Sequence, residues 1–151
     1  MKISPGDVFK ISTKIGFGFM QYVESSDLGI EHVRILDFIS ERGDISVEDV
    51  NRPERWNIDF PLKKALSRNL VNKVSHFSLP PNFKIHEYAR IEHNIKGEFL
   101  GWFIVNRKTL QRELKKKLSA DELKLSPHGI MNDTLIKEYL EKNWSLEEWN
   151  K

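Results

Sequence analysis

"SPGDVFKISTKIGFGFMQYVE", residues 4–24, is the stretch that decides the fold. Pro5-Gly6-Asp7 is turn chemistry. Residues 8–12 then alternate, with Phe9 and Ile11 on one face and Val8 on the other. Thr13-Lys14 supplies a turn, and residues 16–23 read as the hairpin partner. Phe17, Phe19, Gln21 and Val23 share one side of that partner; Gly16, Gly18, Met20 and Tyr22 share the other. Two glycines two positions apart on one face let a strand bend at a corner, or leave room for a neighbouring side chain. A phosphate-cradling glycine loop would need a strand-to-helix junction, and none follows here.

Moving outward, Leu28-Gly29 makes a second turn, and residues 31–39 are read as a third strand because β-branched and aromatic residues dominate them. Ser46 caps a single helical turn. Residues 51–57 read as polar and irregular around Pro53, and Pro61 opens a short helix over 62–68. Residues 70–79 are predicted as a fourth strand ended by Pro80-Pro81, 88–93 as a fifth, and 99–105 as a sixth. The sixth is the most apolar and is expected to lie deepest. From residue 107 the character changes. Leu110, Leu114 and Leu118 recur every four residues, which predicts a helix. Ser119 and Glu122 have capping-box spacing. Asn132 or Asp133 caps a further helix with Leu135, Ile136, Tyr139 and Leu140 on its face, and Ser145 to Glu148 repeats the capping-box spacing before Trp149.

The expected fold class is α+β: a small, strongly bent antiparallel sheet or partly open β-barrel of about six strands, followed by two or three C-terminal helices. Residues 1–151 are expected to form a single domain, mainly β over 1–106 and helical over 107–151. At this length, folding buries roughly 68–70% of the unfolded chain's surface, so the core needs no metal or disulfide. The chain has no cysteine, which excludes disulfides, thiolate catalysis and Cys-based zinc sites. The N-terminus shows no signal-peptide pattern and no run reaches the roughly 18 apolar residues of a membrane span, so the expected location is cytoplasmic and no membrane partner is expected. Twenty-four basic and 22 acidic residues leave a net charge of +2, too balanced for a strong field of either sign.

Motifs that carry chemistry are sparse. The five histidines at 32, 76, 86, 93 and 128 form no HExxH and no i, i+4 pair, so no metal is expected. There is no GxSxG elbow and no SxxK. Asp121-Glu122 and Glu147-Glu148 fall at helix starts, where the macrodipole favours them. No catalytic, cofactor-binding or metal-binding residue is assigned, and the expected protein is not an enzyme and carries no cofactor. Two groups remain as binding candidates. Trp56, Trp144 and Trp149 lie in irregular or terminal segments, where a tryptophan anchors either its own tail or a partner. Arg107, Lys108, Arg112, Lys115, Lys116 and Lys117 would line one basic helix that could track phosphates.

The opening residues Gly6, Asp7, Val8, Phe9 and Ile11, followed by Phe17, Gly18 and Val23, resemble the start of the immunity protein 26 family of bacterial toxin systems. Residues 33–38, VRILDF, look like that family's next strand. The resemblance covers about the first 40 residues. It implies a small, mainly β, non-enzymatic cytoplasmic protein that binds and blocks a cognate toxin domain, with no active-site residues to carry over. The leading expectation is therefore an immunity-type binding protein. The alternative is a small-barrel nucleic-acid-binding module using the basic 107–117 helix, and a third possibility is an enzyme whose site carries no recognisable motif.

Overall fold

The computed structural model describes residues 2–26 and 28–149. The fold is α+β, with eight strands in two antiparallel sheets and few helices. Neither sheet closes into a barrel. The chain divides into two compact units, Met1–Phe83 with Gly129–Ser145, and Lys84–His128 with Leu146–Lys151. The sequence reading of one domain divided at residue 106 differs from this, because the break falls at 83 and both units are completed by returning chain.

The first unit is built on the N-terminal hairpin. Strands β1 (Asp7–Thr13) and β2 (Gly16–Ser25) pair with Phe9 opposite Met20 and Ile11 opposite Gly18. Strands β3 (Glu31–Ile35) and β4 (Trp56–Phe60) extend the meander, and β5 (Asn72–His76) adds beside β1, giving the order β4-β3-β2-β1-β5. Opposed residues share a face, so the register sorts the sheet into two sides. Phe9, Met20, Ile35 and Trp56 form one cross-strand row, and Val33 and Ile58 another; all six are buried. On the reverse side, Val8, Phe19, Leu36 and Val50 form a second apolar cluster. Gln21 and Arg34 share this side.

Helix α1 (Val47–Val50) is one turn, closed by the reciprocal Ser46–Asp49 capping box. Helix α2 (Leu62–Ser67) buries Leu62, Ala65 and Leu66. Helix α3 (Asp133–Glu141) starts where the sequence placed it, with the Asn132 side chain accepting from the Leu135 amide, and buries Ile136 and Leu140. The Leu140 methyl lies where a side chain on Gly18 would be: an added Cβ would come within 2.5 Å of it. The glycine expected to leave room for a neighbour thus makes room for a helix.

The second unit carries β6 (Tyr88–Ile95), β7 (Glu98–Asn106) and β8 (Arg112–Lys115) in that order. The β6–β7 hairpin turns on Lys96 and Gly97, both at positive φ (52° and 81°), the pairing that a two-residue type I′ turn requires. A 3-10 turn, Glu122–Lys124, follows, with Ser119 and Glu122 capping each other as read from the sequence. The single-turn helix α4 (Leu146–Trp149) completes the unit. Trp102, Ile104, Leu118 and Leu125 form its buried core, with Trp149 packed against them.

Three sequence readings are corrected. The helix expected over 107–117 is a turn followed by strand β8. Its leucines keep a four-residue spacing by coincidence: Leu110 has positive φ in the turn, Leu114 is on the strand, and Leu118 is buried beyond it. The segment read as irregular over 51–57 ends inside β4. The strand expected to lie deepest is partly surface, with Phe99 49% and Leu100 36% exposed.

The Gly18–Leu140 contact generates a double-mutant test. Gly18→Ala forces a methyl against a buried side chain, and overpacking of this kind costs about 1–3 kcal/mol. Leu140→Ala alone opens a cavity and costs about 2–5 kcal/mol. In urea denaturation the double variant is expected to lose at least 0.5 kcal/mol less than the two single losses added, because truncating Leu140 vacates the space the added methyl fills. Simple additivity would show that Leu140 does not pack on Gly18.

Candidate functional site

The interior of the first unit holds an unusual amount of polar chemistry. Arg34 is fully buried at the centre of the sheet's reverse face. Its guanidinium donates to Gln21, to Glu54 Oε1 at 3.2 Å and to the carbonyls of Val50 and Arg52 at 3.1 and 2.9 Å, and it lies 5.3 Å from the Phe83 ring centroid. Burial lowers its pKa, and the Glu54 carboxylate acts in the opposite direction. Gln21 in turn donates to the carbonyls of Gly6 and Phe77. Each of these bonds answers a group that has left water, so the network is a structural device. His32 is also buried, and both its ring nitrogens are engaged inside the sheet, Nδ1 with Asp59 at 2.8 Å and Nε2 with Asn57 at 2.9 Å. Asp7 is buried at the start of β1. Its carboxylate meets His76 Nδ1 at 2.7 Å and Lys73 Nζ at 3.2 Å and accepts from the Ser4 amide at 2.9 Å. Burial pushes its pKa up, but the Ser4, His76 and Lys73 contacts outweigh burial and hold it below the usual value of 3.8.

The second unit solves the same problem differently. Arg90, fully buried on β6, lies between two indoles, 4.6 Å from the Trp102 ring and 4.3 Å from the Trp149 ring. It donates to the carbonyls of Leu125 and Leu123 at 3.1 and 3.0 Å. Burial pulls its pKa down to about 10, which leaves it charged at neutral pH. The Trp149 indole N–H donates to Glu92 at 2.8 Å.

These contacts place the three predicted tryptophans. Trp56 is 1% exposed, edge-on to Tyr139 and Trp144 in the first unit, so it has no surface to offer a partner. Trp144 stacks on Tyr139 at 4.5 Å. Trp149 docks its short helix onto its own unit, which is the intramolecular option of the sequence reading. The basic residues are not brought together as a helix face. On a strand, alternate side chains take opposite sides, so Arg112 and Lys115 diverge. Arg112 lies over the Phe103 ring at 5.0 Å, while Lys115 pairs with Glu122 at 2.7 Å. Arg107 and Lys108 belong to the preceding turn, and Lys116 follows the strand. Among the described residues, no group of three His, Asp or Glu side chains is placed to hold a metal ion, and no helix is long and apolar enough to cross a membrane.

The feature that sequence reasoning missed is a sheet face. Register aligns Ile91, Phe103 and Leu114 across β6, β7 and β8. Ile91 is 39% and Leu114 49% exposed, and Phe103 between them is partly covered by His93, 4.6 Å away, and by Arg112. The hairpin beyond also exposes Ile95 and Leu100, whereas half-exposed Phe99 lies edge-on to Trp102 of the opposite side, 5.4 Å away. Scattered apolar side chains need no explanation, but adjacent ones on one unit mark a contact surface. Only Phe103 stands in an apolar-rich segment; Leu114 is alone among charged residues in Arg112–Lys115, and the misread helix hid its alignment with Ile91 and Phe103.

No protein family, curated protein or solved structure matches the chain.

The Asp7 cluster sets an acid limit. A carboxyl whose pKa is lower folded than unfolded adds stability above its unfolded pKa and loses it as pH falls through the folded value. The native chain is expected to exceed Asp7→Asn in unfolding free energy by about 1.5–3 kcal/mol at pH 7, the scale of hydrogen bonds to a charged group. That gap should close as pH drops below about 4, the unfolded aspartate range. A gap independent of pH between 7 and 2.5 would show that the Asp7 charge contributes nothing.

Proposed function

We propose that the chain is a non-catalytic binding protein of the immunity type, which engages a cognate bacterial toxin domain and occludes it. The exposed row Ile91–Phe103–Leu114 carries this reading, with exposed Ile95 further along β6 on the same alternation as Ile91. A rigid antiparallel sheet presents these side chains without the entropy cost of ordering a loop. An aromatic with aliphatic flanks and a stacked arginine is the composition from which interface hot spots are drawn. The partner chemistry that fits is a protein surface with an apolar centre. The GDVF hairpin supports the same reading through its resemblance to the immunity family. The basic-helix route to nucleic acid lost its footing with the helix itself. Trp56 is withdrawn as an anchor, and Trp144 and Trp149 serve their own units.

Protection in cells tests the proposal. The chain is co-expressed with each candidate toxin domain found encoded beside its gene, and growth is measured. Native chain is expected to restore growth, and the purified pair should form a complex. Ile91→Lys and Leu114→Lys, both on exposed positions, should each weaken that complex by tenfold or more, about 1.4 kcal/mol or above, with unchanged thermal stability. Failure of the native chain to protect, or full protection by both variants, would reject the reading.

A further inference from the structure

The opposite side of the three-stranded sheet holds a cavity of about 220 Å³, lined by His86, Tyr88, Ile104, Glu113, Asp121, Glu122 and Leu125. Ile104 and Leu125 are nearly fully buried and form an apolar floor. Glu113 lies directly across from Ile104 in the β7–β8 register, so its carboxylate shares the floor's side of the sheet. Asp121 and Glu122 come from the 3-10 segment. Lys115 is committed to Glu122, at 2.7 Å, and this contact raises the lysine's pKa and lowers the glutamate's. Glu113 and Asp121 have no side-chain hydrogen bond or close ion pair among the described residues, and Glu113 is near enough to Lys115 to act on it electrostatically. At the rim, the Tyr88 amide donates to His86 Nδ1 at 3.1 Å, and the two rings lie 6.3 Å apart.

Three properties select a ligand. The cavity is smaller than the roughly 300 Å³ at which pockets for drug-sized molecules and cofactors begin, so it suits one side chain or a fragment of that size. Its three carboxylates, Glu113, Asp121 and Glu122, outnumber the one cation beside them, Lys115, so the hollow is negative on balance. Its carboxylates are spread around a hollow instead of grouped as metal ligands, and the floor is apolar, which suits an extended cation on a hydrocarbon stem better than a bare ion. Tyr88 adds an aromatic face of the kind guanidinium and ammonium groups stack on.

We propose that this cavity binds one alkyl-guanidinium or alkyl-ammonium group, the stem on Ile104 and Leu125 and the charged head between Glu113 and Asp121. The group belongs to an arginine or lysine side chain or to a small organic cation of the same chemistry. The inference is independent of the Ile91–Leu114 face, which lies on the other side of the sheet, so either can fail alone.

The test uses the full chain and amide NMR titration with butylguanidinium, with neutral butylurea as an isostere and a capped Gly-Arg-Gly peptide as a third probe. Butylguanidinium is expected to give saturable shifts at Tyr88, Ile104, Glu113 and Leu125, weakened by added salt. Butylurea should give at most a fifth of that affinity. The E113Q/D121N variant should bind butylguanidinium about fivefold more weakly, in line with two exposed charge contacts. Both substituted side chains are exposed, and spectral dispersion reports the fold; the single E113Q variant carries the comparison if the pair unfolds. Tighter binding of the peptide would identify a side chain of a protein partner as the source, and tighter binding of free butylguanidinium a soluble cation. Absent or scattered shifts, equal binding of butylurea, or unchanged binding by the variant would overturn the proposal.

Discussion

The constraint that organises the first unit is a charge with no access to water. Arg34 stands on the central part of a five-stranded sheet, and a bare guanidinium there would cost several kcal/mol. The fold around it is arranged to supply acceptors: Gln21 from the adjacent strand, Glu54 from the loop before β4, and two carbonyls released at and beyond the single turn of α1. The loop over residues 36–55 therefore has a reason for its irregular course, since a regular strand there would keep its carbonyls for the ladder. Gln21 extends the same logic by reaching across to the carbonyls of Gly6 and Phe77. One buried cation thereby ties β2, β3 and the loops at two ends of the sheet.

Arg90 performs a parallel task in the smaller unit with other materials. A sheet of only three strands offers little core, so two indoles supply both the apolar bulk and the electron-rich faces that accommodate the cation. The side of the sheet bearing Arg90 is closed by Trp149, Leu118 and Leu125, whereas the side bearing Ile91, Phe103 and Leu114 keeps its apolar row accessible. The asymmetry follows from supply: one short helix and one 3-10 turn can cover a single face.

How much of this was legible in the sequence depends on whether a segment's period matched its environment. The N-terminal hairpin was readable because alternation and glycine placement agreed, and the face assignments for Phe9, Ile11, Gly18 and Met20 hold in the register. Capping signals at Ser46, Ser119 and Asn132 were readable because they are local and chemical. Strand β4 was lost in a polar context, although Trp56, Ile58 and Phe60 do alternate. Strand β8 was lost because three leucines spaced four residues apart imitate a helix when a turn and a strand happen to adjoin. Neither buried arginine was legible. Arg34 and Arg90 occupy positions that alternation assigns to solvent, and their partners lie at carbonyls and side chains 13 to 35 positions away in the chain. The exposed apolar row was hidden by the same misreading that created the basic helix.

The order in which the chain threads its two units has a consequence for biosynthesis. Residues 129–145 return to the first unit and Leu146–Trp149 to the second, so the α3 cover over Gly18 and the indole over Arg90 leave the ribosome within about twenty residues of each other. Until then each sheet lacks the last cover over one apolar side. Each unit thus receives its closing element late in translation, α3 for the first and the Trp149 indole for the second.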